Sequence, residues 1–284
     1  MMIKETFTLA NGVDVPKIGL GTWLIEGNDA ENAVKEAVKI GYRHIDTAQD
    51  YGNEGEVAAG IKASGVSRDE IFVTTKLAAR YKDYAGAAEA IDESLEKMGL
   101  DHIDLMIIHS PQPWDHFGSS DRFFEGNREA WRALEDAHKA GKIRAIGLSN
   151  FAAQDIDNIL SSCTVKPVVN QILAHVSNTP WDLIQYSQDK GLLVEAYSPV
   201  GHGELFKNEQ IAEMAKQYGV SIPQLCIRYD LQLGLLPLPK TANPDHMKNN
   251  ADVDFVIADK DMETLKNMAP IEDYGEASAF PVFQ

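Results

Sequence analysis

Cysteine is nearly absent from this chain of 284 residues: only Cys163 and Cys226 occur. No second Cys or His stands at metal-ligand spacing from either. A disulfide scaffold and a structural zinc site are therefore excluded as readings, no metal is expected, and the chain reads as intracellular with reduced thiols. Long apolar runs are also missing. None approaches the roughly 18 residues of a membrane span, so no membrane partner is expected. The opening Met-Met-Ile-Lys-Glu-Thr-Phe-Thr-Leu lacks the basic start and apolar stretch of a signal peptide, which makes the cytoplasm the expected location. Basic residues are scarce, 26 Lys and Arg against 43 Asp and Glu, for a formal charge of −17. Such a surface repels phosphate backbones and argues against nucleic acid as a partner.

One further absence concerns dinucleotide binding. A doubly wound fold would carry G-x-G-x-x-G after its first strand. The one stretch that approaches it, Gly19-Leu-Gly-Thr-Trp-Leu24, lacks the third glycine, and no helix start follows at the right distance.

What is present is a rhythm. After a predicted hairpin over Thr6 to Ile18, turning at Asn11-Gly12, eight β-type apolar runs recur: Leu20–Leu24, His44–Thr47, Ile71–Leu77, Ile103–His109, Ala145–Ser149, Val168–Ile172, Leu192–Tyr197 and Leu235–Pro239. Amphipathic stretches such as Asp29–Ile40, Tyr84–Met98, Asn127–Ala140, Trp181–Lys190 and Gln210–Tyr218 separate them. Several end at a glycine (Gly41, Gly99, Gly141, Gly191, Gly219), the residue that best follows a helix in the left-handed region. Strictly alternating strand and helix predicts a parallel sheet with helical crossovers, and eight units predict a closed (β/α)8 TIM barrel with an N-terminal β-hairpin. No linker or low-complexity tract interrupts the pattern, so one domain over residues 1–284 is expected.

In such a barrel, chemistry gathers where strands give way to loops at the C-terminal face. The second run closes with Asp46, and Tyr51 follows in the loop. Lys76 ends the third run and His109 the fourth. Singly, each has a plainer explanation: a loop or helix cap, a packed ring, a structural histidine. Together they do not, because Lys76 caps the apolar Ile-Phe-Val-Thr-Thr, where an unpaired ammonium is costly to bury, and Asp46 is on the neighbouring strand. Carbonyl reduction needs a hydride donor on one side of the carbonyl carbon and an acid near its oxygen. A cation beside a phenol stabilises the phenolate and makes tyrosine a better proton donor near neutral pH. Lys76 supplies that charge, Asp46 holds Lys76, and His109 is placed to hydrogen-bond the oxygen.

At this point the residues resemble the aldo-keto reductase family. The resemblance rests on Gly41-Tyr-Arg-His-Ile-Asp-Thr-Ala48 with Tyr51-Gly-Asn-Glu54, on Phe72-Val-Thr-Thr-Lys76, Asp104-Leu-Met-Ile-Ile-His109, Ile146-Gly-Leu-Ser-Asn-Phe151 and Ala196-Tyr-Ser-Pro199. These follow the family order and extend from about Phe7 to the C-terminus. The resemblance implies a catalytic tetrad of Asp46, Tyr51, Lys76 and His109, with Tyr51 as general acid, and a nicotinamide cofactor. Ser149, Asn150 and Gln171 would hold its carboxamide and Tyr197 would stack on its ring. Gly21, Thr22, Asp46, Ser198, Pro199 and Val200 complete the expected cradle. Lys240, Thr241, His246 and Asn250 are expected toward the adenosine and phosphate end, where Asn243-Pro244 looks like a helix cap followed by proline at the first helical position.

Two departures from the family pattern matter. Histidine stands at 246 where many relatives carry arginine, and Asn249 replaces a common glutamate. Histidine is mostly neutral at pH 7, so preference for NADPH over NADH is weakened, with NADPH kept first because Lys240 remains. Asn170-Gln-Ile-Leu-Ala-His-Val176 replaces the usual Asn-Gln-Ile-Glu-Tyr-His-Pro, keeping Gln171.

Around the mouth, Trp23 and Trp114 are expected to join Tyr51 and His109 in binding substrate. The aromatic stretch Ser110–Asn127 is the expected substrate loop, and the tail Ala279-Phe-Pro-Val-Phe-Gln284 is expected to close over it. His102, His138 and His202 read as surface residues. The function that follows is NADPH-dependent reduction of a small-molecule aldehyde or ketone by a monomeric enzyme. Two alternatives stay open: a cofactor-binding regulatory or scaffold protein, and a Schiff-base lyase using Lys76.

Overall fold

Ten strands and ten α-helices order the computed structural model, which describes residues 1–283; Gln284, the end of the expected closing tail, lies outside the described residues. The strands are β1 (Thr6–Thr8), β2 (Asp14–Pro16), β3 (Leu20–Gly21), β4 (His44–Asp46), β5 (Phe72–Leu77), β6 (Ile103–Ile108), β7 (Ile143–Ser149), β8 (Val169–Leu173), β9 (Leu193–Tyr197) and β10 (Leu236–Leu238). The helices are α1 (Gly27–Ile40), α2 (Glu54–Ser64), α3 (Tyr84–Met98), α4 (Phe124–Lys139), α5 (Ala153–Leu160), α6 (Trp181–Asp189), α7 (Glu209–Gln217), α8 (Ile222–Gln232), α9 (Pro244–Ala251) and α10 (Asp259–Lys266).

β3 to β10 pair in sequence order, every pair parallel. Closure comes from the backbone: Gly19 N–H donates to Pro237 O at 3.2 Å, and Gly21 N–H to Pro239 O at 3.0 Å. Gly21 and Lys240 form a parallel bridge at the same seam. The eight-stranded barrel expected from the alternation is thus present, nearly closed. Every residue of β5 and β6 is buried, as befits strands covered on both faces.

The antiparallel β1–β2 hairpin stands apart from the barrel. Its flanking Leu9 and its Val15 share one apolar cluster with Phe72 and Leu236, the first residues of β5 and β10, and with Val168 just before β8. The hairpin therefore plugs the N-terminal end and leaves the other end free for a site. Outside, helices such as α1 bury one stripe, whereas α8 is buried on all sides from Gln224 to Asp230. In α1 the stripe is Ala30, Ala33, Val34, Ala37 and Val38, at the three- and four-residue spacing of a helix face. Gly99 ends α3 in the left-handed region with φ 60°. Asn243 caps α9, its Oδ1 accepting from Asp245 N–H at 2.8 Å, and Pro244 is the first helical residue.

Three local expectations are corrected. The first barrel strand stops at Gly21 rather than Leu24, because Thr22 N–H turns to Asp46 O at 3.1 Å and Leu24 takes a positive φ of 57°. The last strand shortens at both ends to Leu236–Leu238. In the Ser110–Asn127 segment, α4 already begins at Phe124, so the loop is shorter than its aromatic content suggested.

At the seam, a Cβ built on Gly19 would lie 2.6 Å from Leu238 Cδ2 and 2.7 Å from His44 Nδ1. His44 is itself fixed to Thr74 Oγ1 at 2.9 Å, so relief must come from several groups at once. Gly19→Ala is expected to cost about 1–3 kcal/mol of stability through overpacking, measured by chemical denaturation. An unchanged midpoint would mean that the seam yields freely.

Candidate active site

The C-terminal ends of β4 and β5 bring Asp46 and Lys76 together in the barrel interior, both nearly inaccessible to solvent. Lys76 Nζ donates to Asp46 Oδ1 at 2.5 Å, to Thr47 O at 2.9 Å and to Tyr51 OH at 3.2 Å. All three ammonium hydrogens thus find an acceptor, the condition under which a buried cation is tolerated. Burial works against the charge of Lys76, but Asp46 and the Tyr51 phenol outweigh it and leave the amine above its ordinary value. For Tyr51 the balance runs the other way. Burial pushes the phenol up, and Lys76 only partly opposes it. Lys76 stabilises the phenolate as expected from the sequence, but within a rise that burial imposes.

The polar residues around this pair hold the strands to one another. Asn53 accepts from Thr47 Oγ1 at 2.6 Å and donates to Thr22 O at 3.0 Å and Ile25 O at 2.8 Å. Glu54 accepts from Thr75 Oγ1 at 2.6 Å. The Tyr51-Gly-Asn-Glu54 run is therefore a clamp across β3, β4 and β5, and Tyr51 is set by a single 3-10 turn, Gln49–Tyr51, between clamp and strand.

His109 follows β6. Its ring stands edge-on to Tyr51, with centroids 5.7 Å apart, and to Trp114 at 5.0 Å. Burial holds its pKa below the ordinary histidine value. Asp50, next to Tyr51, accepts from Arg80 and from Trp114.

A cavity of about 680 Å³ opens above these groups. Its lining includes Asp46, Tyr51 and His109, with Lys76 just beneath, and from the expected cofactor set Gly21, Thr22, Ser149, Asn150, Gln171, Tyr197, Ser198, Pro199, Val200 and Lys240. Thr241, His246 and Asn250 lie beyond it: Thr241 is the residue after Lys240, His246 is exposed on the first turn of α9, and Asn250 is buried in the last. The wall residues constrain one another. Tyr197 OH donates to Asn150 Oδ1 at 2.8 Å, and Asn150 Nδ2 donates to His109 O at 3.0 Å. Gln171 Nε2 donates to Asp46 Oδ2 at 2.9 Å and Glu195 Oε2 at 2.7 Å. With both amide hydrogens committed, the carbonyl oxygen of Gln171 remains as an acceptor, taking no donor from the described residues. A carboxamide N–H₂ is the group that such an oxygen suits, so this wall fits a nicotinamide.

At the mouth, Trp23 meets Phe280 edge-on with centroids 4.8 Å apart, and stacks toward Phe283 at 6.3 Å. Phe280 to Phe283 line the cavity, so the tail lies over the opening as far as it is described. Of the aromatics in Ser110–Asn127, only Trp114 lines the cavity; Phe117 packs on Trp114, and Phe123 on His116.

Sequence reasoning missed three residues here. His202 was read as a surface residue. It is exposed but lines the cavity, wedged between Trp23 and Phe283 with Nε2 3.0 Å from Ser198 Oγ. Asp50 was passed over although it directly precedes Tyr51. Glu195 sits fully buried in β9; a carboxylate inside the apolar run Leu192–Tyr197 was the available signal.

Comparison with known proteins places the chain among reductases. A model described as the Aldo/keto reductase family matches residues 17–270. A glyoxal reductase of Bacillus subtilis (strain 168) is 39% identical over 275 residues, which cover 96% of each protein. An aldehyde reductase of Saccharomyces cerevisiae is 35% identical over 311 residues, covering 99% of this chain and 97% of the relative. Among solved structures, an aldo-keto reductase from Bombyx mori in complex with NADP superposes with a TM-score of 0.86 at 32% identity and 98% coverage of both chains. An aldo/keto reductase from Brucella melitensis superposes with a TM-score of 0.86 at 36% identity, covering 94% of this chain and 98% of that one.

Glu195 makes stability depend on pH in a direction opposite to most acids. Burial, reinforced by the Asp46 carboxylate, pushes its carboxyl up to about 8, and its Oε1 has no partner. The folded state then keeps a proton that the unfolded state releases near its ordinary value of about 4.3. Stability from this group is present below that value and is lost as pH rises toward 8. Glu195→Gln, which removes the titration, is expected to raise the melting temperature more at pH 8.5 than at pH 5. Equal shifts at both pH values would mean that Glu195 is already ionised in the folded protein.

Proposed function

Because the chain belongs to the aldo/keto reductase family, we propose that it reduces an aldehyde or ketone to the alcohol with NADPH, with NADH as a weaker alternative. One observation carries this reading: the Tyr51 hydroxyl accepts a hydrogen bond from Lys76 at 3.2 Å at the floor of the cavity, while Asp46 holds that ammonium at 2.5 Å. A phenol whose oxygen accepts from a cation has its own proton free for a ligand, and loses it more readily than the same phenol buried alone.

When bound, the nicotinamide would supply the hydride that the carbonyl carbon receives. Ser149, Asn150 and Gln171 would hold its carboxamide, with Tyr197 against the ring. The free carbonyl oxygen of Gln171 and the Tyr197–Asn150 hydrogen bond support that assignment. Tyr51 and His109 would converge on the carbonyl oxygen. As negative charge develops there, Tyr51 gives its proton, and Lys76 stabilises the phenolate left behind. Asp46 keeps Lys76 charged and takes no part in proton transfer. The apolar mouth around Trp23, Trp114 and Phe280 excludes water from the reacting atoms and suits alkyl, aryl or dicarbonyl substrates. Names among the relatives, a glyoxal reductase and an aldehyde reductase, support the same chemistry.

A Schiff-base role for Lys76 is disfavoured by the same geometry. A nucleophilic amine needs a free lone pair, whereas Lys76 is held as an ammonium by three acceptors. For the cofactor phosphate, Lys240 is the cation on the cavity wall. Thr241, His246 and Asn250 would meet the adenosine end beyond it.

The experiment is consumption of NADPH and NADH against a panel of aldehydes, ketones and dicarbonyls. Tyr51→Phe is expected to lower kcat by about 10²–10⁴ while leaving the NADPH dissociation constant, read by tryptophan fluorescence, within a few-fold. Substantial residual turnover would remove Tyr51 as the acid. His246→Arg is expected to tighten NADPH binding by about tenfold, roughly 1.4 kcal/mol, with a smaller effect on NADH. Equal effects on both would place His246 away from the 2′-phosphate.

A further inference from the structure

Asp50 has no part in the chemistry above, yet its carboxylate gathers three side chains of the substrate face. Oδ1 accepts from Arg80 Nη1 at 2.6 Å, and Oδ2 accepts from Trp114 Nε1 at 3.1 Å. Oδ2 also lies 3.5 Å from His109 Nδ1. Burial disfavours the charge of Asp50, but His109, Trp114 and Arg80 together outweigh it and bring its pKa down to about 2. The carboxylate is therefore ionised across any working pH.

This creates a conflict at His109. Its Nδ1 is buried and has no hydrogen-bond partner, so it faces the carboxylate across a gap that a proton would bridge. A neutral imidazole carries one N–H. With the proton on Nε2, the ring can donate to a carbonyl oxygen in the cavity, but the Nδ1 lone pair then confronts the Asp50 lone pairs. With the proton on Nδ1, Asp50 is satisfied and Nε2 becomes an acceptor that cannot hold a carbonyl oxygen. Only the imidazolium serves both neighbours. The tautomer of a histidine is set by what its other nitrogen meets, and here the other nitrogen meets a permanent anion.

We propose that Asp50 is a positioning residue that selects the Nδ1–H tautomer of His109 in the free protein, and so makes the grip of His109 on a carbonyl oxygen require uptake of one proton. The inference rests on the reductase reading for the oxygen ligand, but not for the tautomer. The groups facing His109 set how readily that proton is taken. From β5, Lys76 opposes it; from β4, Asp46 favours it, as does Asp50 from the 3-10 turn. The Tyr51 phenol stands across the ring. Burial dominates and keeps the ring neutral until an acceptor oxygen arrives. The proton comes from solvent and ends on the imidazole; no covalent bond to carbon is involved.

Asp50→Asn relieves the conflict: its N–H₂, in the place of Oδ2, donates to Nδ1 at the cost of the Trp114 hydrogen bond and leaves the proton on Nε2. Two measurements test this. Nitrogen-15 NMR of His109 in the free protein is expected to show the Nδ1–H tautomer in the wild type and the Nε2–H tautomer in Asp50→Asn. The profile of kcat/KM is expected to fall about tenfold per pH unit above the His109 pKa in the wild type, and to be flat over the same range in Asp50→Asn. Arg80→Gln, which removes a partner of Asp50 while keeping the carboxylate, is expected to retain the wild-type tautomer and slope. An Nε2–H tautomer in the wild type would overturn the inference, as would parallel pH profiles for wild type and Asp50→Asn. Loss of the tautomer difference in Arg80→Gln would reassign the effect to Arg80 and overturn it equally. If no carbonyl is turned over but the tautomer switches as stated, the reductase reading fails and the Asp50–His109 coupling stands.

Discussion

Everything at the open end of this barrel depends on keeping one ammonium charged in a place with almost no water. Lys76 is surrounded by strands that are buried on both faces, where an unpaired cation would lose its proton or unfold its surroundings. The molecule answers with an acceptor for each N–H, and those acceptors come from different elements: a side chain at the end of β4, a backbone carbonyl one residue on, and the phenol of the following turn. Tyr51 is thus placed by the same demand that keeps Lys76 charged. The arrangement is conditional in both directions: without the cation the phenol is merely buried, and without Asp46 the cation lacks its counter-charge.

The interior holds a second acid, Glu195, joined to Asp46 through the Gln171 amide. One cation and two carboxyl groups share a small dry volume, and the arithmetic favours a protonated Glu195. A neutral acid at that position adds a hydrogen-bond acceptor without a second charge. Gln171 is held from both sides as a result, and its remaining oxygen faces a direction chosen by its neighbours rather than by a ligand.

How legible all this was in the sequence depends on how local each cause is. Asp46, Lys76 and His109 could be read as converging because strand ends of a parallel barrel converge by geometry alone, and the alternation of apolar runs and amphipathic stretches was unambiguous. The length of β3 could not be read, since it is decided by Thr22 turning to a carbonyl 24 residues away. Asp50 and His202 were opaque for the same reason: their meaning lies in Trp114, Arg80, Trp23 and Phe283, none of which is a sequence neighbour. The Ser110–Asn127 segment was legible in part: its Trp114 lines the cavity, while Phe117 and Phe123 are used up in contacts within the segment.

The seam between β3 and β10 closes the cylinder with very little backbone pairing. Two backbone amides, Gly19 just before β3 and Gly21 within it, complete the cylinder, and the residue bridged to Gly21 is Lys240, the cation on the cavity wall. An anion bound by Lys240 would therefore sit beside the same span of backbone that keeps the cylinder shut. Occupancy of the cavity and integrity of the cylinder would then be linked equilibria: a ligand that binds only the closed barrel would hold it closed, and a barrel loosened at that seam would bind it less.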